Sequence, residues 1–486
     1  MRRTGLKCEG AAPTMRATTP ERPLRDAARR GAALALLASL LVLAVLAVAP
    51  AAQAWDVLTP TGTDPSAVTD RDGTTHVVWD VTHANSYDTV DYCQIPRGAT
   101  TCATTVDLTP ECTTDPGGTT QPIAWKQDQS DSRWHGDKPR VMVTRFGDVY
   151  ITTHGVCPLD WQAYGTSNPP WSNFQGVDRE ITMHSADGGA TFDSSSGQAR
   201  ANGPKYTADQ GAVFSDDRSD TVYDEADNRF VTVQDAYGGD IHGNSGNDGL
   251  FVLGNQPPPP MSDGQITAGR LVPFPDGGNP VLVQRGRGSF ATAYLRQQAG
   301  GIGIRTYDCA GCPLADLAAA ADWSSEILLP DEDHQPFAPK IVSGPAGTFV
   351  FYHTSPPDPN FWVRKLTGTT LGPRSKIMPA QDVDVETGDI AEDPANGRLI
   401  AAFQVATNAS EIPWETDYVV SDDGGMTWTP AAKAADAPPG HSNDAMNTSI
   451  TESTGDNGFT GLMFQYRDLD SGPIYVTALP GSGLPP

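Results

Sequence analysis

The chain has 486 residues, with 33 Lys/Arg against 59 Asp/Glu and a formal charge of −26. That balance excludes a general nucleic-acid binder, which needs a basic footprint. It fits a soluble exported protein, or one that holds Ca²⁺.

Residues 1–30 carry eight Lys/Arg and three acids, and residues 31–49, GAALALLASLLVLAVLAVA, carry no charge. The run ends at PAAQA, where Ala52-Gln53-Ala54 is a small-x-small cleavage site. This is the pattern of a secretory signal peptide over residues 1–54, with cleavage after Ala54 and an extracellular domain over 55–486. Met15 is an alternative start, and Arg29-Arg30 is a weak twin-arginine-like pair. The apolar run of 19 residues also just reaches the length of an uncleaved membrane anchor. The Ala-Gln-Ala site favours cleavage, and no other segment is apolar enough to span, so no stable span is expected in the mature chain.

Beyond Ala54 the chain carries 25 Lys/Arg against 56 Asp/Glu, a balance of −31. Six cysteines remain: Cys93, Cys102, Cys112, Cys157, Cys309 and Cys312. An even number in an exported chain points to disulfides. Cys93–Cys102 and Cys309–Cys312 are the expected local pairs, leaving Cys112–Cys157. In the cytosol, Cys309-Ala-Gly-Cys312 would read as a redox or zinc half-site. Here there is no second CxxC and no thioredoxin-like strand–helix context, so a structural disulfide is expected.

Helical periodicity is scarce, and LADLAAAADW (314–323) is the one short helix candidate. With 49 Gly and 41 Pro, the rest reads as all-β with many turns. One phrase recurs: a polar turn with Gly or Asn, then a run of β-forming residues. It stands at DRDGTTHVVWD (70–80), TRFGDVYITTH (144–154), DEADNRFVTVQD (224–235) and GRGSFATAYL (286–295). It returns at GPAGTFVFYHT (344–354), DPANGRLIAAFQ (393–404) and GDNGFTGLMFQY (455–466). A spacing of roughly 50–80 residues is too long for a simple solenoid and suits one four-stranded blade plus loops.

Two eight-residue motifs fall inside this pattern, SADGGATF (185–192) and SDDGGMTW (421–428), each after a strand–loop–strand order. Their parts suit the closing of a hairpin. Asp187 and Asp423 can accept backbone N–H bonds of their own turn. Gly188-Gly189 and Gly424-Gly425 can take positive φ. Thr191 and Thr427 offer short polar bonds, and Phe192 and Trp428 are expected to tuck between sheets. Every part is used for folding, with nothing left for catalysis.

Ser185, Asp187, Gly189, Thr191 and Phe192, and again Ser421, Asp423, Gly425, Thr427 and Trp428, resemble the Asp-box of the BNR-repeat β-propellers of the sialidase superfamily. YDCAGCPLADLAAAADWSSEILL (307–329) and GDKPRVMVTRFGDVYI (136–151) resemble segments of exported bacterial propellers. The resemblance covers most of 55–486. It implies a six- or seven-bladed β-propeller of four-stranded antiparallel blades, with seven favoured by the seven phrases. It also implies that Asp-boxes lie on the blade rim, away from the ligand face, so the motif names an architecture and leaves the function open.

A sialidase needs three arginines on the substrate carboxylate, a Tyr–Glu nucleophile and an Asp acid–base. The family's aromatic-Arg-Ile-Pro motif is absent here. The nearest stretch is CQIPRG (93–98), with Gln94 in the arginine's slot and Arg97 after the proline. Its flanking Cys93 and Cys102 read as the staple of a loop. Tyr466 and Arg467 in FQYRD (464–468), and Glu415 in PWETD (413–417), are the other candidates. Adjacent strand positions point to opposite faces, so Tyr466 and Arg467 reach one site only through a bulge. His76, His154 and His353 recur near the repeated strands and would bind metal only if they converged; ordinary strand polarity is the simpler reading. Asp240, Asn244, Asn247 and Asp248 in GGDIHGNSGNDG (238–249) form an oxygen-rich loop without EF-hand spacing, a weak Ca²⁺ candidate against a plain surface loop. No phosphate-binding Gly loop and no Gly-x-Ser-x-Gly elbow occurs.

The expectation is a secreted, monomeric propeller that binds a glycan or an extracellular protein. A sialidase-type glycoside hydrolase with an altered arginine set is the alternative.

Overall fold

The computed structural model describes residues 54–83, 88–108, 135–156, 178–192, 219–236, 249–255, 274–275, 277–296, 300–317, 319–329, 336–354, 360–377, 385–406, 414–441, 446–453, 461–467 and 472–479. Residues 1–53, with the charged stretch and apolar run, lie outside them, as do Cys112, Cys157 and the loop 238–248 with its four oxygen donors.

The described chain is almost entirely β. In order come β1 (Asp56–Thr69), β2 (Thr75–Thr82), β3 (Asp88–Ile95) and β4 (Thr104–Leu108), then β5 (His135–Val143), β6 (Val149–Val156) and β7 (Asp178–Ser185). Next are β8 (Ser219–Asp224), β9 (Arg229–Ala236), β10 (Gly249–Asn255), β11 (Phe274–Pro275), β12 (Gly277–Gly286), β13 (Ser289–Arg296), β14 (Ile302–Asp308) and β15 (Ile327–Leu328). The chain continues through β16 (Pro336–Gly344), β17 (Gly347–Thr354), β18 (Asn360–Thr367), β19 (Thr370–Lys376), β20 (Val385–Asp393), β21 (Arg398–Ala406), β22 (Trp414–Ser421) and β23 (Ala432–Asp436). It ends with β24 (Asn447–Ile450), β25 (Glu452–Ser453), β26 (Leu462–Tyr466) and β27 (Gly472–Ala478).

These strands make a propeller arrangement. Strands β8–β11, β12–β15, β16–β19 and β20–β23 form four complete four-stranded blades, and β5–β7 form a three-stranded sheet. The remaining strands make one eight-stranded sheet in which β1 lies between β27 and β2. Strand β1 changes partner along its length. Asp56 to Gly62 pair with β27, and Thr63 to Thr69 pair with β2. The C-terminal strand is thereby stitched to the N-terminal one. The first strands of successive sheets touch in the order β1, β5, β8, β12, β16, β20, β24, and β24 returns to β1.

Both faces of each middle strand are covered, which is why they read as apolar runs. On β17, Phe349 and Phe351 pack with Leu399, Phe403 and Val419 of the β20 sheet. Val350 and Tyr352 pack with Ala291, Ala293, Ile302 and Ile304 of the β12 sheet. The core is therefore a set of layers between neighbouring sheets.

The predicted helix over 314–323 is two shorter pieces, an α-turn at Leu314–Leu317 and a 3₁₀ turn at Ala320–Asp322. Trp323 ends it by filling the core beside Tyr307 and donating from Nε1 to the Leu317 carbonyl (2.8 Å). Two disulfides are formed, Cys93–Cys102 and Cys309–Cys312. Among the described residues, no helix is long and apolar enough to cross a membrane.

Candidate functional site

Strands β5, β8, β12, β16, β20 and β24 each form one edge of their sheet, and with the Thr63–Thr69 half of β1 we term them the inner strands; backbone N–H groups on such an edge lack a strand partner within their own sheet. Inner strands start at what we term the upper end and turn into the second strands at the lower end. Five of them share one irregularity. Between Thr63 and Ser66, Asp137 and Arg140, Gly278 and Val281, Phe337 and Lys340, and Val385 and Gly388, the inner strand advances three residues while its partner advances two. These are β-bulges at matching places, the device that re-aims side chains at sheet edges. Asp64, Asn279 and Ala338 sit inside three of them at positive φ (47°, 49° and 47°). In four bulges a proline, Pro65, Pro139, Pro280 or Pro339, precedes the residue where register resumes.

Residues beside these bulges line a central channel of about 310 Å³ to which all the inner strands contribute. Its charged lining is Arg140, Asp220, Glu225, Lys340, Asp389, Glu392 and Glu452. The two aspartates first serve the inner edges. Asp220 accepts from the Leu282 amide of the next sheet through Oδ2 (2.7 Å) and from the Thr221 amide through Oδ1 (3.0 Å). Asp389 repeats this with the Ile450 amide (2.9 Å) and the Ile390 amide (2.9 Å). Ser66 does the same more weakly, its Oγ accepting from the Val141 amide (3.3 Å).

Arg140 Nε lies 2.9 Å from Asp220 Oδ1. Burial opposes its charge, but Asp220, Glu452, Asp389 and Tyr466 together push its pKa above the usual arginine value. Glu452 is exposed to the channel space and set within its walls. That enclosure and the negative charges of Asp220 and Asp389 raise its pKa, while Arg140 and Lys340 pull it down. The channel thus holds one arginine already paired with a carboxylate and one glutamate that protonates more readily than usual.

Tyr466 ends β26 at the upper end. It packs against the cluster of Trp79, Phe464 and Ile474, close enough to Arg140 to support its charge. The backbone carbonyl of Arg467 accepts from Thr63 Oγ1 (3.1 Å), at the bulge of β1. Tyr466 and Arg467 therefore both stand at the upper end of the channel. Glu415 lies elsewhere, on β22, the third strand from the axis. Its Oε2 is 2.8 Å from Lys433 Nζ. Its neighbour on the same face, Asp417, has a pKa pushed up to about 6 by burial and by Glu415, with Lys433 opposing.

Gln94 and Arg97 belong to the lower end. Gln94 donates from Nε2 to the Gly188 carbonyl (2.6 Å) of the next sheet's turn. Arg97 lies across Gly73, whose added Cβ would meet Arg97 Cδ at 2.8 Å. The three histidines do not converge. His76 sits at the start of β2, with Nδ1 2.6 Å from Tyr92 Oη and Nε2 3.2 Å from Asp70 Oδ2. His154 and His353 sit near the opposite ends of the second strands β6 and β17. Burial pushes the His353 pKa down to about 4. Among the described residues, no group of three or more His, Cys, Asp or Glu is placed to hold a metal ion.

The two eight-residue motifs share one set of bonds. Ser185 Oγ donates to Asp187 Oδ1 (2.7 Å) and accepts from the Gly189 amide (2.7 Å). Asp187 accepts from the Thr191 amide (2.8 Å) and hydroxyl (2.6 Å). Ser421, Asp423, Gly425 and Thr427 reproduce each bond, at 2.9, 2.8, 2.9 and 2.5 Å. Both turns dock on the outer strands of the preceding sheet, the first on the third strand and the second on the fourth, β19. Phe192 packs edge-on to Tyr92 of β3 at 5.0 Å, and Trp428 donates from Nε1 to Ser375 Oγ of the β16 sheet (3.2 Å).

Arg140, Asp220, Asp389 and Glu452 are not among the candidates read from the sequence. A signal was present in the recurring x-Pro-x of DPS, KPR, NPV and APK, which marks the inner-strand bulges.

No family model and no curated protein matches the chain. Among solved structures, it is similar to a Hadza microbial sialidase, Hz136, at 10% identity and a TM-score of 0.44, covering 87% of this chain and 66% of that one. A Trypanosoma rangeli sialidase in complex with sialic acid is similar at 12% identity and a TM-score of 0.40, covering 77% and 58%. An alpha-L-arabinofuranosidase from Lactobacillus brevis is similar at 13% and 0.34, covering 64% and 93%. The chain thus spans less than two thirds of the length of either sialidase.

Proposed function

We propose that this is a secreted β-propeller that binds a glycan at the upper end of its channel without cleaving it. Cleavage after Ala54 would release residues 55–486 as one monomeric domain, and the packing of Ala52–Pro486 as one compact unit supports that division. Seven blades is the count we favour. The change of partner along β1 supports reading the eight-stranded sheet as two blades, and the ring of first strands then has one member per blade. We read the two eight-residue turns as Asp-boxes that fasten blade to blade at the lower end.

The observation that carries the non-catalytic reading is the Arg140–Asp220 pair. Among the described residues, the one arginine lining the channel is neutralised by a carboxylate that also ties two sheets together. A three-arginine grip on a substrate carboxylate would need further guanidinium groups beside this one. A second reading, a sialidase-type hydrolase with an altered arginine set, is favoured by the nearness of Tyr466, Arg140 and Glu452. An extracellular protein is the other ligand class the upper end would suit. A glycan array probed with the purified protein tests the proposal. Saturable binding to a defined glycan, left intact with product absent after prolonged incubation, is the expected result. Absence of any glycan binder, or turnover of the bound one, overturns it.

A further inference from the structure

Beside the lower end of the channel lies a second cavity, of about 630 Å³. Glu225, Gln284, Ser343 and Gly344 line both spaces, so the two adjoin. The lower cavity is walled by the turns that follow β5, β8, β12 and β16, and it gathers Arg145, Arg285 and Arg287 against one carboxylate, Glu225. Each guanidinium has an acidic partner, Glu225, Asp227 or Asp308, so what sets the cavity apart in a chain of −26 is three arginine forks in one place. From it, we propose that the lower cavity binds an acidic saccharide, with the arginines taking its carboxylate or sulfate groups and Phe146 stacking on a sugar ring.

The arginines are held from behind. Arg287 gives Nε and Nη2 to one oxygen of Asp227, at 2.8 and 2.7 Å, leaving Nη1 for a ligand. The other Asp227 oxygen accepts from the Gly311 amide (2.9 Å), and Asp227 is itself near the buried Arg229. Arg145 gives Nε to Glu225 Oε1 (2.8 Å), while Glu225 Oε2 accepts from the Arg145 amide (3.1 Å). Arg285 Nη1 stands 3.7 Å from Asp308 Oδ2, an ion pair too long for a hydrogen bond. Arg145 and Arg287 are each 61% exposed, so their charges reach solvent although their positions are fixed. Fixed guanidinium forks suit carboxylate and sulfate oxygens.

Phe146 adds the second element. It is 75% exposed, and among the large exposed hydrophobic residues described it is the one aromatic. It occupies the turn between β5 and β6 beside Arg145, whose Cζ lies 4.7 Å from the ring centroid. An exposed ring beside anion-binding groups matches a ligand with an apolar sugar face and an acidic substituent, and gives nothing to a bare inorganic anion. The site is at the opposite end from Tyr466 and Arg140, so it stands whether or not the upper end binds a glycan.

Titration calorimetry of the purified protein with a galacturonic acid tetrasaccharide, its methyl ester and inorganic sulfate tests the proposal. The acid should bind saturably, with the ester and free sulfate each weaker by about tenfold or more, and added salt should weaken binding. Arg287→Gln and Arg145→Gln, both at exposed positions, should each lower affinity by roughly tenfold without moving the melting temperature. Phe146→Ala should weaken the saccharide and leave sulfate unchanged. Three results overturn the proposal: no saturable binding of the acid, binding indifferent to all three substitutions, or sulfate equal to the saccharide with Phe146→Ala silent.

Discussion

Asp389 on β20 accepts a hydrogen bond from the Ile450 amide on β24 at 2.9 Å, across the gap between two sheets. The same bond joins Asp220 to Leu282, two sheets that meet elsewhere in the ring. Neither of these pairs of sheets shares a backbone ladder, so side chains satisfy the inner-edge amides.

Asp389→Ala leaves two buried amides without their charged acceptor and should lower stability by about 2–3 kcal/mol. Asp389→Asn, which keeps one acceptor oxygen, should lose about half as much. Urea unfolding measures both. A loss below roughly 0.5 kcal/mol for the alanine variant would show that Asp389 is not a tie between sheets.

The motif glycines separate backbone strain from contact. Gly188 has φ +72° with open space around an added Cβ, whereas Gly189, at +88°, would place that Cβ 1.8 Å from Tyr92 Oη. Gly188→Ala should cost about 1–2 kcal/mol from the left-handed conformation alone, and Gly189→Ala clearly more. Equal losses in thermal unfolding would mean that the turn does not dock on Tyr92.

Acid should loosen both turns. The hydroxyls of Thr191 and Thr427 hold the exposed carboxyls of Asp187 and Asp423 down at about 2. An unfolded aspartate titrates near about 3.9. A depressed carboxylate stabilises fully above the unfolded value, and the contribution fades as pH falls from about 4 to about 2. The urea midpoint should therefore drop over that window, and less so in Asp187→Asn/Asp423→Asn. An identical drop in the double variant would place the acid sensitivity elsewhere.

Asp417 should behave in the opposite sense. With its folded pKa raised to about 6, the native state binds the extra proton between about 4 and 6, so the group lowers stability as pH rises through that range. Allowing for partial exposure, Asp417→Asn should add about 1–2 kcal/mol at pH 7 and nearly nothing near pH 3.5. A gain that is the same at both pH values would refute the buried-charge account.

Much of the fold is legible in the sequence because the lower turns are regular. The described part of each of the seven recurring phrases runs into a second strand: β2, β6, β9, β13, β17, β21 and β26. Those strands are covered on both faces, so their apolar runs stand out. The inner strands are harder to read, since a bulge breaks their alternation and their side chains answer to the next sheet. Arg140 and Asp220 are far apart in sequence, and no local pattern announces that the ring closes them to 2.9 Å. Gln94, read against an arginine slot, serves instead to hold the Gly188 carbonyl of a neighbouring turn.

Turnover of a fluorogenic sialoside by the purified protein, beside Tyr466→Phe, tests the central claim most directly. With Arg140 committed to Asp220, the account predicts no release above the Tyr466→Phe control at high protein concentration. Release that Tyr466→Phe abolishes would contradict it and make the channel a hydrolase site.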